Sequence, residues 1–187
     1  MKLEHTELVD LLRLAYSAEK AAAFAYIGHA GSLKKKPEAK RVNEIEQDEW
    51  NHRDQVKRIM DEYGIEPSRY YEMKYHLLGK LIGLSCYFIG RFMPYFFAGR
   101  LESGNVCEYF RMMHYFHSLG ITKHDDVLYE MGIKEKEHEV YFLNMVKDES
   151  WLPIFERIFA WGPTKSTNDV DLEEKLSIME SHKYCRT

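Results

Sequence analysis

Two Glu-x-x-His pairs, Glu49/His52 in "QDEWNH" and Glu135/His138 in "KEKEH", fall on the apolar stripes of segments that read as helices. They limit what the chain can fold into more than any other feature. Val42, Ile45, Glu49, His52, Val56, Ile59 and Tyr63 step by three and four, which puts them on one inward face. Leu8, Leu12, Ala15, Glu19, Ala22, Tyr26 and His29 repeat that pattern earlier, and Leu128, Met131, Glu135, His138, Phe142 and Met145 repeat it later. In each seam a charged residue interrupts an apolar face. A lone buried carboxylate costs several kcal/mol unless it is paired or binds metal. One such motif would be weak evidence in a chain with 30 acidic residues and 9 histidines, so partners elsewhere must decide it.

Helical periodicity dominates the chain and predicts an all-α fold. A first helix is expected over 4–31, capped at Thr6 and stopped by "GHAGS". A second runs from Pro37 to Tyr63, with proline suited to a first turn. An apolar helical run covers 68–91, a third long helix leads from Pro94 to "HSLG", and a fourth covers 123–147. "WLPIFERIFAWGP" reads as a short docking helix at 151–163. The expected organisation is one bundle domain over 1–163 and a loosely packed polar tail over 164–187, where "DLEEKLSIM" suits a turn or two of helix.

The two Glu-x-x-His motifs, with Glu19, lack one carboxylate, and the third long helix offers Glu102 and Glu108. Helices joined by a short turn run antiparallel, so facing residues should lie equally far from the turn. Glu19 is twelve residues before Gly31, Glu49 twelve after Pro37, Glu108 twelve before Gly120 and Glu135 twelve after Lys123. Twelve residues are about 18 Å of helix, and Glu102 lies about 9 Å farther out, so depth selects Glu108. Glu19, Glu49, His52, Glu108, Glu135 and His138 then match the ligand pattern of ferritin-like di-iron or di-manganese carboxylate bundles. Four carboxylates offset two divalent cations, and mixed oxygen and imidazole donors suit iron or manganese. The predicted fold is a ferritin-like four-helix bundle with one or two additional helices.

Composition excludes some classes. A net charge of -4 provides no basic field for nucleic acid. Cys86, Cys107 and Cys185 lack metal-ligand spacing and read as free thiols in a reducing compartment. The start "MKLEHTELVD" does not read as a signal peptide, which points to the cytoplasm. Leu81–Gly90 is a charge-free run of ten residues, short of the roughly twenty that span a bilayer. The wider apolar stretch 77–101 either packs in the core, closes over a hydrophobic substrate, or meets a membrane or a second copy. "SLKKKPEAKR" is a solvated basic turn or a contact for an anionic membrane surface.

Over about residues 10–147 the chain resembles the demethoxyubiquinone hydroxylase family. "AEKAAAFAYIGH" is similar to that family's first-helix motif, and "QDEWNH" and "KEKEH" to its two Glu-x-x-His motifs. "CEYFRMMHY" is similar to its third metal helix, and "GLSCYFIGRFMPYFFAGR" occupies the place of its apolar, membrane-contacting stretch. The chain has Ala18 where the family usually has Gly, and Arg91 and Arg100 in the apolar stretch. The resemblance implies a di-iron monooxygenase that hydroxylates a lipophilic aromatic or quinone-type ring with O2. Electrons would come from an external donor, since no nucleotide or flavin fingerprint is present. It also implies a peripheral position on the inner face of the membrane. The rival expectations are another di-iron oxidase or peroxidase, an iron-binding or storage relative of ferritin, and a regulatory bundle that retains the site.

Tyr26 and Tyr115 each follow an expected ligand Glu by seven residues, two turns along the same face. They are core packing, or phenols that line a substrate pocket or relay electrons and protons. His114 and His117 lie off the Glu108 stripe and are read as surface or packing residues.

Overall fold

The helices form where periodicity and end chemistry predict them. The computed structural model describes residues 3–34, 36–162 and 167, and it is all-α, with no strand among the described residues. α1 spans Thr6–Leu33, α2 Glu38–Glu62, α3 Arg69–Ser85, α4 Phe92–Ser118, α5 Asp125–Val146 and α6 Leu152–Phe159. The first cap is His5 rather than Thr6, because the His5 ring accepts the Leu8 N–H at 3.2 Å. Pro37 precedes α2 with φ already helical at -55°, and the Ser68 side chain caps α3 through the Tyr71 N–H. Asp125 and Asp126 in the first turn of α5 complement its dipole. The apolar stretch 77–101 is not one element. It is divided between the end of α3 and the start of α4, with Gly90 at φ 78° in the turn.

The chain forms two compact units, Met1–Gly90 and Arg91–Thr187. In the first, α1 packs along both α2 and α3. Its core includes Leu8, Leu12, Val42, Ile45, Val56 and Met60, all fully buried. The contact with α3 is made backbone to backbone. A Cβ at Gly79 would lie 2.5 Å from the Ala21 carbonyl oxygen, and one at Gly83 would lie 2.6 Å from that of Phe24. Only glycine permits this approach.

Polar groups pin the same three helices. Glu72 of α3 accepts from Ser17 at 2.9 Å, Lys20 at 2.6 Å, and the two Arg53 Nη atoms at 3.1 and 3.0 Å. Burial pushes the Glu72 carboxyl up, but its bonds from Arg53, Lys20 and Ser17 outweigh that and bring it down to about 2. The Arg53 guanidinium also donates to the Tyr16 carbonyl and stacks 3.5 Å over the Tyr16 ring.

In the second unit α4 packs along α5. Phe155 and Phe159 of α6 pack against Phe92, Phe96 and Phe97, with ring centroids 5.0–6.5 Å apart. Past α6 the chain turns back through Ala160 at φ 55° and buries Trp161, whose ring lies 5.5 Å from Phe96. A Cβ at Gly99 would sit 2.4 Å from that indole, so α4 needs glycine there to admit it.

Among the described residues no helix is long and apolar enough to cross a membrane. The three-thiol expectation is corrected at Cys107, which is disulfide-bonded, while Cys86 is a free thiol whose pKa burial raises to about 11. The inference of a reducing compartment loses that support. Cys185 and the expected tail over 164–187 lie outside the described residues, apart from Thr167.

Candidate metal centre

Each unit places one carboxylate from its first helix beside a Glu-x-x-His from the next. In the first unit Glu19 of α1 meets Glu49 and His52 of α2, one turn apart on the same face. Each offers a ligand atom, and these atoms lie within 4.8 Å of one another. All three side chains are at least 95% buried. The residues that follow two of the ligands, Lys20 and Arg53, are held by Glu72. That network fixes the rotation of α1 and α2 about their axes beside the ligands.

In the second unit Glu102 of α4 meets Glu135 and His138 of α5. Their ligand atoms also lie within 4.8 Å of one another, and all three residues are fully buried. The His138 Nδ1 atom is 3.6 Å from a Glu135 oxygen. Here too the residues next to the ligands are anchored. Lys136 donates to Glu139 at 2.9 Å, and the Trp161 indole N–H donates to the other Glu139 oxygen at 2.8 Å. Lys136 and Glu139 are themselves buried and both belong to α5, so it is the bond from Trp161, beyond α6, that holds α5 in one rotation.

The depth rule pointed to Glu108 of α4, whereas the structure brings Glu102 to the group. Glu102, not Glu108, joins Glu135 and His138, whereas Glu108 is half-buried and outside the group. The reason is azimuth. Tyr95, Gly99, Glu102, Val106, Tyr109, Met113 and Phe116, all buried, step by four and three and form one stripe of α4. Six residues at about 100° each turn Glu108 roughly 120° away from Glu102. Burial raises the Glu108 pKa, Arg111 lowers it and the charge of Glu135 raises it, with an upward net shift. Glu108 is therefore an electrostatic neighbour of the Glu135 carboxylate.

The tyrosine reading shifts with it. Tyr26, seven residues after Glu19, is buried, whereas Tyr115 is half-buried. The tyrosine seven residues after Glu102 is Tyr109, only 1% exposed. Glu19/Tyr26 and Glu102/Tyr109 thus stand in the same register in the two units. The apolar spacing of α4 could have identified Glu102 and Tyr109 from sequence, but no short motif marked Glu139 or Trp161. His117 pairs with Asp125 at 2.8 Å, as suits a surface histidine, and His114 is exposed.

The donor chemistry fits a metal in both units. Each triad supplies two carboxylates and one imidazole, hard and borderline donors without a thiolate, which favours iron or manganese over a soft metal. No family profile, curated protein or solved structure matches the chain.

Proposed function

We propose that Glu19, Glu49 and His52 in the first unit and Glu102, Glu135 and His138 in the second each hold one iron, as the two ligand sets of a ferritin-like di-iron protein. In this reading the protein is an oxygen-dependent monooxygenase that hydroxylates a lipophilic aromatic or quinone-type ring. The observation that carries the metal reading is the repeated triad: a Glu from one helix beside a Glu-x-x-His from the next, once in each unit. Four carboxylates match the charge of two divalent cations, so the buried acids are neutralised by the ions they bind. When bound, such a pair supplies oxygen activation.

The chain's own residues have separate tasks. The six ligands orient the metals, and three donors per metal leave coordination positions for substrate-side chemistry. Glu72 with Lys20 and Arg53, and Glu139 with Lys136 and Trp161, hold the ligand helices in rotation. Buried Tyr26 and Tyr109 lie two turns along from Glu19 and Glu102, where their phenols can hold or pass a proton. Hydroxylation puts one oxygen atom of O2 into the ring and the other into water, which consumes two electrons and two protons from an external reductant. The quinone-type substrate rests on the resemblance of the motifs.

Anaerobic purification followed by metal analysis tests the centre, with two irons per chain expected. Extraction of the purified protein and turnover with a quinol precursor, a chemical reductant and O2 test the reaction. A hydroxylated ring is the expected product. Two irons with O2 consumption and no ring oxygenation would replace the monooxygenase reading with an oxidase or peroxidase.

A further inference from the structure

The chain beyond α6 is laid along one face of α4. The Phe159 carbonyl accepts from Arg100 Nε at 3.0 Å. Trp161 is fully buried between α4 and α5, against Gly99 on one side and bonded to Glu139 at 2.8 Å on the other. Gly162, at φ 89°, lies so close to α4 that a Cβ there would be 2.8 Å from Ser103 Oγ and 3.4 Å from the Arg100 carbonyl oxygen. Thr167 is still beside α6, its N–H donating to the Glu156 carboxylate. Arg100, Ser103 and Cys107 step by three and four, so they share a face of α4. Cys107 is one turn, about 6 Å, past the point where Gly162 meets Ser103. It is buried and disulfide-bonded.

The chain has three cysteines. Cys86, in the first unit, is a free thiol, and burial lifts its pKa to about 11, so it stays protonated and is a poor partner for exchange. Within one chain that leaves Cys185 to pair with Cys107. Cys185 follows Gly162 by 23 residues, ample chain to reach one turn along α4. We propose that Cys107 and Cys185 form a redox latch that closes the C-terminal segment along α4 as a strap and keeps Trp161 in its seat, and that a dithiol reductant opens it. On opening, the S–S bond breaks, the dithiol gives up two electrons and two protons, two protein thiols form, and the reductant closes to its own disulfide. Exchange with a small-molecule disulfide runs the same balance in reverse. While latched, the strap is tied to α6 at one end and to α4 at the other, so a Trp161 ring that leaves its seat stays at high effective concentration near it. Once the latch is open, only the ring's own contacts return it. Because Trp161 bonds Glu139, the neighbour of His138, the state of the latch reaches the ligand helix α5. The inference rests on the packing of the second unit and not on what the triads hold.

Proteolysis of the full chain without reductant, followed by mass spectrometry, tests the pairing. The expected product is a linked pair of peptides carrying Cys107 and Cys185 that dithiothreitol separates. Hydrogen exchange of the intact chain then tests the latch. The amides of Ala160, Trp161 and Gly162 should exchange on the order of tenfold faster after reduction. Cys185→Ser, which leaves the buried face of α4 unchanged, should exchange equally fast without reductant and gain nothing from it. Amides of α1 and α2 should keep their rates in every case. Three free thiols in protein purified without reductant, or a bond joining the Cys107 residues of two chains, would overturn the pairing. Equal exchange at 160–162 in oxidised, reduced and Cys185→Ser protein would show that the bond has no hold on Trp161 and overturn the latch. Faster exchange throughout both units on reduction would overturn it as well, because the bond would then act on the whole fold.

Discussion

At the scale of single residues, the choice between Glu102 and Glu108 shows how a helix separates depth from direction. Both carboxylates are at least half-buried, but only Glu102 is on the stripe that carries Tyr95, Gly99, Val106 and Tyr109. Glu102→Gln should therefore lose or weaken about one metal per chain, while Glu108→Gln should retain full metal content by elemental analysis. The opposite pattern would mean that α4 is rotated relative to its ligand face.

Glu72 gives a prediction in pH. Its folded pKa is depressed from 4.5 to about 2, so its stabilisation is complete above about pH 5 and is lost as pH falls toward 2. Because the group is partly exposed, solvent screening reduces the effect to about 1–2 kcal/mol. Urea melts of the apo protein across that window should show Glu72→Gln with a flatter acid limb than the parent. Apo protein is needed because ligand carboxylates of the loaded protein also take up protons in this range.

At the scale of elements, α3 is set by contacts that its composition does not announce. Its glycines weaken helix propensity by about 1 kcal/mol each relative to alanine. Both, Gly79 and Gly83, are packing devices. The backbone of Ala21 lies where a Gly79 Cβ would go, and backbone cannot step aside as a side chain can. Gly79→Ala should thus destabilise the fold by on the order of 1–2 kcal/mol, the clash exceeding the propensity gain. Gly104 in α4 has open space around the same atom. There the identical substitution should stabilise by up to about 1 kcal/mol. Thermal melts of the two variants side by side separate packing from propensity, and equal shifts would contradict the distinction.

At the scale of the whole molecule, buried charge is the main liability. Glu19, Glu49, Glu102 and Glu135 are each at most 4% exposed, and within each unit two of them lie within ligand distance. Without cations, like charges at such separation must repel or take up protons. Chelation should accordingly lower the melting temperature by several degrees at neutral pH, with part of the loss recovered as pH falls and the carboxylates become neutral. Iron or manganese(II) should restore the melting temperature in a concentration-dependent way, because a ligand bound only by the folded state stabilises it by mass action. An apo protein as stable as the loaded one at pH 7 would remove the metal from the structural argument.

Two periodicities were readable along the chain: the helical stripe of apolar residues, and a Glu-x-x-His placed twice on such a stripe. Those local patterns determined the helices, their approximate ends and five of the six ligand candidates, because an α-helix assigns every residue a face by its number alone. The sixth ligand depended on how α4 is rolled against α5. That roll is decided by the packing of Tyr95, Gly99 and Phe116 and by Trp161 arriving from beyond α6. The inward turn of Glu72, the burial of Glu139 and the bare apolar face of α3 likewise required the tertiary structure. Each depends on residues distant in sequence that satisfy, or leave exposed, what a single helix presents.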